Sequence, residues 1–501
     1  MANAEVELQQ CSVETSSAGL SNRERAQRRW VTVEPVVSLA VIGFMTIGLI
    51  RPFFLKKRIG ESYNVTVDDE FSNCNSNDTG DKAMQDGIQA EASLWIMYLN
   101  VSSSIPVIIS SVIMGTLSDR LGRKMCIVIP IFGYICQEVV YLATIYFELP
   151  LPVLFVGDIL QGMAGGFGLL FAGCTSYITD ITSEKKRTLR IAFIEMLLLL
   201  LGGFVQVGVG YMVRDISTEV PLLMALGANV LCLIYVAIPG LLIETVDRKN
   251  IPEHRKGLKA AGRSMVKLLK FNENGRRWQM LLLDFFLFFV IININGTMSI
   301  FILYGTAKPL CWSPVDAGLA GSFGFLTASI GMVVGTKLFA LCVGEYWIMQ
   351  ISCLSLLAFN IMMGVTQTTW LVYAANLIGA FRATSMPIAR SIISRIVDST
   401  EIGAAFALVA CIDSVAGFIA SAVGPSIYAA TVKYLPPAVF FVYSGFYVIP
   451  AGIIVVLQLL WPRREAKDKY QQFEDEPEES KGYEVNADIK EYIGKPESIE
   501  S

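Results

Sequence analysis

Gly115-Thr116-Leu117-Ser118-Asp119-Arg120-Leu121-Gly122-Arg123-Lys124 is the most informative stretch of this chain. It sets an acid, two glycines and three basic residues between two long apolar runs, 93–117 and 125–147. Each run can cross about 30 Å of hydrocarbon as a helix, so the stretch reads as a tight polar turn at a membrane face. Gly115 lets two helices approach closely, Asp119 is placed to meet a helix N-terminus, and Arg123 offers a fork to a carboxylate. With Arg120 and Gly122 they describe a polar lock that holds one access state and opens in another. Topology alone, with basic residues keeping a turn inside the cell, explains the charges but neither Asp119 nor the glycine spacing.

Outward from this turn the pattern repeats. Apolar runs at 33–54, 93–117, 125–147, 151–179, 190–213, 221–243, 279–306, 315–342, 346–366, 369–395, 403–430 and 437–461 predict about twelve membrane spans. Of the 501 residues, 53% are hydrophobic and 17% charged, against about a quarter charged in a soluble domain. The runs are too long and continuous for the alternation of a barrel, so the fold class is an all-α membrane protein. Nothing is basic enough for nucleic acid; lipid is the expected surrounding. The amino end is polar and lacks a cleavable leader, so the first run is expected to remain as a start-transfer helix.

Lys and Arg set the orientation. Arg23–Arg29, Asp119–Lys124, Lys185–Arg190, the linker after the sixth run and Arg463–Lys469 are basic; the alternate loops are nearly free of basic residues apart from Lys56–Arg58. Both termini are therefore expected in the cytosol. The chain divides into a tail 1–32, six spans over 33–243, a basic linker 244–278 that can also meet anionic lipid, six spans over 279–461, and an acidic tail 462–501. The loop 55–92 carries the sequons Asn64-Val65-Thr66 and Asn77-Asp78-Thr79, which would be glycosylated on the lumenal face. Tyr470-Gln471-Gln472-Phe473 has the form of a sorting signal, and its membrane could be the plasma membrane or that of lysosomes or endosomes.

The decapeptide resembles the signature of the major facilitator superfamily, which implies a major facilitator fold of two six-helix bundles. The matching turn at Leu341-Cys342-Val343-Gly344-Glu345 is degenerate, so the lock is one-sided. Further stretches resemble the solute carrier 46 family, which includes the proton-coupled folate transporter. They are Val33-Glu34-Pro35, Arg190-Ile191-Ala192-Phe193-Ile194-Glu195, Leu303-Tyr304 with Pro309-Leu310-Cys311-Trp312, Pro387-Ile388-Ala389-Arg390, Ser399-Thr400-Glu401-Ile402-Gly403-Ala404 and Ala410-Cys411-Ile412-Asp413-Ser414. The resemblance implies proton coupling and substrate handling at Glu195 and Arg390. It departs from the folate member at Asn293-Ile294-Asn295, where that member has a histidine, at Asp158, where it has an arginine, and at Gly165-Gly166-Phe167. These departures point to an organic anion in general, such as folate-like or conjugated sterol and bile-acid-like solutes.

Ionisable groups within the spans each need a reason. Arg382 falls near midplane and serves either an internal ion pair or a substrate anion. Arg390 lies nearer the cytosolic end, where snorkelling is the plain alternative. Asp413 either pairs with Arg382 or acts directly. Glu195 heads a stripe with Gly202 and Gln206; it is either a proton-loading acid or a structural partner of Lys185 or Arg190. Glu138 is a lower-ranked candidate. The Gly162, Gly165, Gly166 and Gly168 run reads as helix packing.

The expected function is therefore a secondary transporter, a proton-coupled symporter of a small organic anion working by alternating access. Protons are the coupling ion and no cofactor is implied. Facilitative or exchange transport is the near alternative, a channel or receptor a remote one. An enzyme is disfavoured, since the single histidine, His254, sits in the linker and no metal-ligand or nucleophile motif occurs. Of the ten cysteines only Cys74 and Cys311 fall in exoplasmic loops, which predicts a disulfide between them, as the resemblance also implies.

Overall fold

The computed structural model describes residues 32–63, 79–182, 184–244, 276–337, 339, 343–397 and 402–460. The expected tails and most of the linker, with His254 and Tyr470–Phe473, lie outside them. The described residues fold as helices, with no strand among them. Twelve spans follow in order: Glu34–Ser62, Thr79–Leu121, Met125–Tyr146, Leu154–Met163 with Gly166–Ile181, Glu184–Asp215, Glu219–Ala237, Arg276–Gly305, Pro314–Lys337, Glu345–Val365, Thr369–Ile378 with Ser385–Ile396, Ile402–Thr431, and Ala438–Phe446 with Val448–Leu460. Eleven are long and apolar enough to cross a membrane. The tenth falls short because it is broken by a 3-10 turn at Gly379–Ala383 and carries Arg382, Arg390 and Arg395.

The expected loop 55–92 is much reduced, because the first helix continues to Ser62 and the second begins at Thr79. Hydropathy marks only the part of a helix at membrane depth. Beyond it the backbone ladder runs on, supported by Arg58, which pairs with Glu61 at 3.2 Å and donates to the Glu148 carbonyl at 2.7 Å. Asn64, Asn77 and Cys74 lie outside the described residues.

Side chains explain the packing. In the first half the first span packs on the fifth and sixth, the third on the fourth and sixth, and the second on the fourth. Val36, Val37, Ile127, Ile131, Leu170, Tyr177 and Ile194 close the core between them. In the second half the seventh span packs on the eleventh, the ninth on the twelfth, and the eighth on the broken tenth. The halves meet along two seams, fifth on eighth and second on eleventh. At the first seam a Cβ on Gly210 would stand 2.6 Å from the Pro314 carbonyl, and one on Gly318 would stand 2.5 Å from that of Gln206. Only hydrogen fits there, and the backbones touch as in other small-residue membrane interfaces. Phe132, Phe204, Ile330 and Leu354 point outward, exposed, as lipid-facing side chains do.

The glycine run of the fourth span does two jobs, where packing alone was expected. Gly162 lies against the Ser103 carbonyl, leaving no room for a Cβ. Gly165, at φ +95°, adopts the left-handed conformation that breaks the span in two.

Candidate functional site

The tenth span carries the site. Its 3-10 turn changes the rise and rotation per residue, so Arg382 and Arg390 do not share the environment that a continuous helix would give them. Arg382 donates to the carbonyls of Gly379 (3.0 Å) and of Gly324 on the eighth span (2.8 Å), and its guanidinium lies 4.9 Å from the ring centre of Phe359 on the ninth. No carboxylate pairs with it among the described residues. Gly324 is required, because a Cβ there would come within 3.4 Å of the guanidinium and 2.7 Å of the Asn376 amide oxygen.

Arg390, two turns further on, has the opposite setting. Nη1 meets Glu195 Oε1 of the fifth span at 3.3 Å, and Nη2 meets Asp413 Oδ2 of the eleventh at 3.0 Å. The guanidinium fork thus joins a carboxylate of the first half to one of the second. Their side chains are 25%, 13% and 28% exposed for Arg390, Glu195 and Asp413, so the triad borders open space rather than sitting in sealed core.

Three of the four expected site residues therefore meet. The expected Asp413–Arg382 pair does not form; Asp413 is taken by Arg390, because the 3-10 turn directs Arg382 toward the eighth and ninth spans. Nor does Glu195 pair with Arg190, which instead meets Glu34 at 3.2 Å and so joins two of the family-like stretches. Lys185 has no described side chain. Gln206 does not line a polar face: it is 3% exposed, packed at the fifth–eighth seam. Asn293 is saturated, donating to the Tyr443 carbonyl at 2.8 Å and accepting from Asn360 at 3.0 Å.

Other buried charges stand in the first half. Asp158 pairs with Arg51 at 2.5 Å and accepts from Gln137 at 2.5 Å and Tyr141 at 3.0 Å. Arg51 was legible as a lone charge inside an apolar run but was not singled out. Glu138 accepts from Asn229 at 2.7 Å. On the seventh span Asp284, visible in the sequence as a lone charge in an apolar run, is buried within the field of Asp413.

In the decapeptide Arg123 meets Asp180 of the fourth span at 3.0 Å, the expected carboxylate for its fork. Glu244, beyond the sixth span, accepts from the backbone N–H groups of Arg123 (2.8 Å) and Lys124 (3.3 Å), against the turn made by Gly122 at φ +101°. A carboxylate thus sits on the N-terminus of the third span. Asp180 and Glu244 lie outside the motif, so the motif alone did not reveal them. Gly115, Asp119 and Arg120 belong to the second helix, and their side chains are outside the described residues.

The model of the Major Facilitator Superfamily matches this chain over residues 36–340 and 285–496. The chain belongs to the major facilitator superfamily. This facilitator is a transporter, not an enzyme, and a multi-pass membrane protein. It is 28% identical over 437 residues, 85% of this chain and 94% of the relative, to the lysosomal proton-coupled steroid conjugate and bile acid symporter SLC46A3 of Gallus gallus. It is 27% identical to the proton-coupled folate transporter of Rattus norvegicus, over 88% of this chain and 94% of that one. The solute carrier 46 resemblance read from short stretches thus extends along most of the chain. Among solved structures, the human organic anion transporter MFSD10 (TETRAN) aligns with a TM-score of 0.61 at 15% identity, covering 86% of this chain and 99% of that one. The peptide transporter POT in complex with sulfate aligns at 0.60 and 13%, covering 89% and 99%. These two likenesses establish the fold.

Proposed function

We propose that this facilitator is a proton-coupled symporter of a small organic anion, with Arg382 and Arg390 as the anion site and Glu195 as the coupling acid. The observation that carries this reading is Arg390 held between Glu195 of one half and Asp413 of the other. Before the anion binds, the two carboxylates outnumber the one guanidinium by a charge, which leaves room for a proton, and they tie the halves together through it. Arg382 adds a positive group held only by carbonyls and a ring, which an incoming anion can claim. A proton on Glu195 weakens its hold on Arg390, and the freed guanidinium turns to the anion. Release on the neutral side reverses both steps, so proton and anion travel together.

The named activities of the relatives support a conjugated steroid, bile acid or folate-like solute, and the lysosomal one supports an endolysosomal membrane. Cytosolic termini follow from the charge rule, and movement toward the cytosol from a proton gradient that is acidic on the other side. The domain plan of two six-span halves joined by the 244–278 linker, and the lock role of Gly115, Asp119, Arg120, Gly122 and Arg123, belong to the same reading. The test is uptake by expressing cells of a labelled steroid sulfate, conjugated bile acid and folate at mildly acidic and neutral pH. Acid-stimulated uptake that a protonophore collapses is expected for at least one of them. Uptake equal at both pH values and indifferent to the protonophore would mean exchange or facilitated transport instead.

Glycosylation at Asn64 and Asn77 and the Cys74–Cys311 disulfide complete the proposal. Cys311 is disulfide-bonded, its partner lying outside the described residues, while Cys126, Cys136, Cys174, Cys232, Cys353 and Cys411 are free. Peptide mapping of alkylated, non-reduced protein should recover Cys74 and Cys311 as one linked species. Recovery of Cys74 as an alkylated thiol would disprove the pairing.

A further inference from the structure

Asp284 lies eight residues into the seventh span, about 12 Å along the helix from Arg276. The residue is 2% exposed, and neither of its carboxyl oxygens has a hydrogen-bond partner among the described residues. An ionised carboxylate without a donor at that depth is among the least tolerable groups a membrane protein can hold; a carboxylic acid is not. The field of Asp413 reaches it from the eleventh span, and Asp413 keeps one oxygen, Oδ1, buried and unpartnered.

Among the described residues, the neighbouring elements bring no hydrogen-bond donor to Asp284. Beside the seventh span, which itself opens with Arg276 and Arg277, are the eleventh with Asp413, the end of the tenth with Arg390 and Arg395, and the twelfth with Tyr443. The second, the eighth and the first touch it more lightly, and on the first Arg51 is bound to Asp158 and Lys56 to the Thr306 carbonyl. Arg390 is divided between Glu195 and Asp413, and Arg395 is bound to Glu345. Glu195 and Asp413 share the guanidinium of Arg390, whereas no cation pairs with Asp284 among the described residues.

We infer that Asp284 is a second proton-carrying group of this transporter, loading on the acidic side and emptying on the neutral side in each cycle. The inference rests on the symport reading above and adds to it. The proton arrives from water by way of Asp413, whose side chain is 28% exposed. It bonds to a carboxylate oxygen of Asp284, and it leaves to water by the same way once the anion has gone. With one proton on Glu195 and one on Asp284, a monovalent anion moves with two protons, and one net positive charge crosses.

The experiment is accumulation in proteoliposomes at zero membrane potential, across imposed pH gradients, of whichever panel solute the protein transports. Two protons make the accumulation ratio rise about a hundredfold per pH unit, one proton about tenfold. The wild type is expected near the first figure and Asp284→Asn near the second. Equal slopes in the two proteins, or a wild-type slope near tenfold, would overturn the inference and leave single-proton symport standing. A wild type indifferent to pH would instead overturn the symport reading itself. Should Asp284→Asn fail to reach the membrane, the wild type alone decides: a positive current accompanying uptake of a monovalent conjugate is expected, and electroneutral uptake overturns the inference.

Discussion

Glu195→Gln should abolish acid-driven accumulation while sparing exchange of labelled for unlabelled solute, measured at matched surface level. Glutamine keeps the shape of the side chain but cannot return as a carboxylate. Exchange uses only the loaded carrier, in which Glu195 is already neutral, so it survives. Net accumulation needs the empty carrier to return, and that step requires Arg390 to be held again from the first half. Without that arm Arg390 is paired with Asp413 alone, the tie between the two halves is lost, and the return is blocked. Accumulation by the variant on an imposed pH gradient would remove Glu195 from the coupling role.

A larger loss is expected from Arg390→Gln. It strands two part-buried carboxylates that the structure pairs at 3.3 and 3.0 Å, and breaking such a pair from one side costs up to about 3 kcal/mol, the lower end of the range for a fully buried one. Surface level should fall steeply, and uptake per molecule by about a hundredfold or more, the scale of two lost charge-assisted bonds. Lysine keeps the charge but not the fork, so Arg390→Lys should retain folding and weaken affinity by roughly tenfold. Combining Arg390→Gln with Glu195→Gln and Asp413→Asn should restore surface level without uptake. Rescued uptake in that triple variant would make Arg390 a brace rather than an anion ligand.

The fold was legible because lipid imposes one rule, long apolar helices, and that rule is written in composition along each span. The helix breaks were not, since hydropathy carries no information about φ at Gly165 or about the 3-10 turn at Gly379–Ala383. The same turn misled the pairing at the site. Arg382 and Asp413 count to similar depths along straight helices, whereas the turn sends Arg382 to Gly324 and Phe359 and leaves Asp413 to Arg390. Glu195, Arg390 and Asp413 could each be named, two by family likeness and one by depth. Their meeting joins spans five, ten and eleven, a long-range fact that no local pattern contains. Arg51 and Asp284 were visible as single charges in apolar runs, and the signal was simply their presence there.

The bonds of Arg382 bear on how long a solute stays. Its guanidinium donates to the carbonyls of Gly379 and Gly324. A solute that draws it away breaks two charge-assisted bonds to backbone carbonyls, although the Gly324 carbonyl keeps its bond from the Thr327 hydroxyl at 3.2 Å. Part of the attraction between anion and arginine is thus refunded to the protein the moment the two separate. Dwell times on the carrier should be short and affinity moderate, and a tight-binding anion would be an inhibitor rather than a cargo.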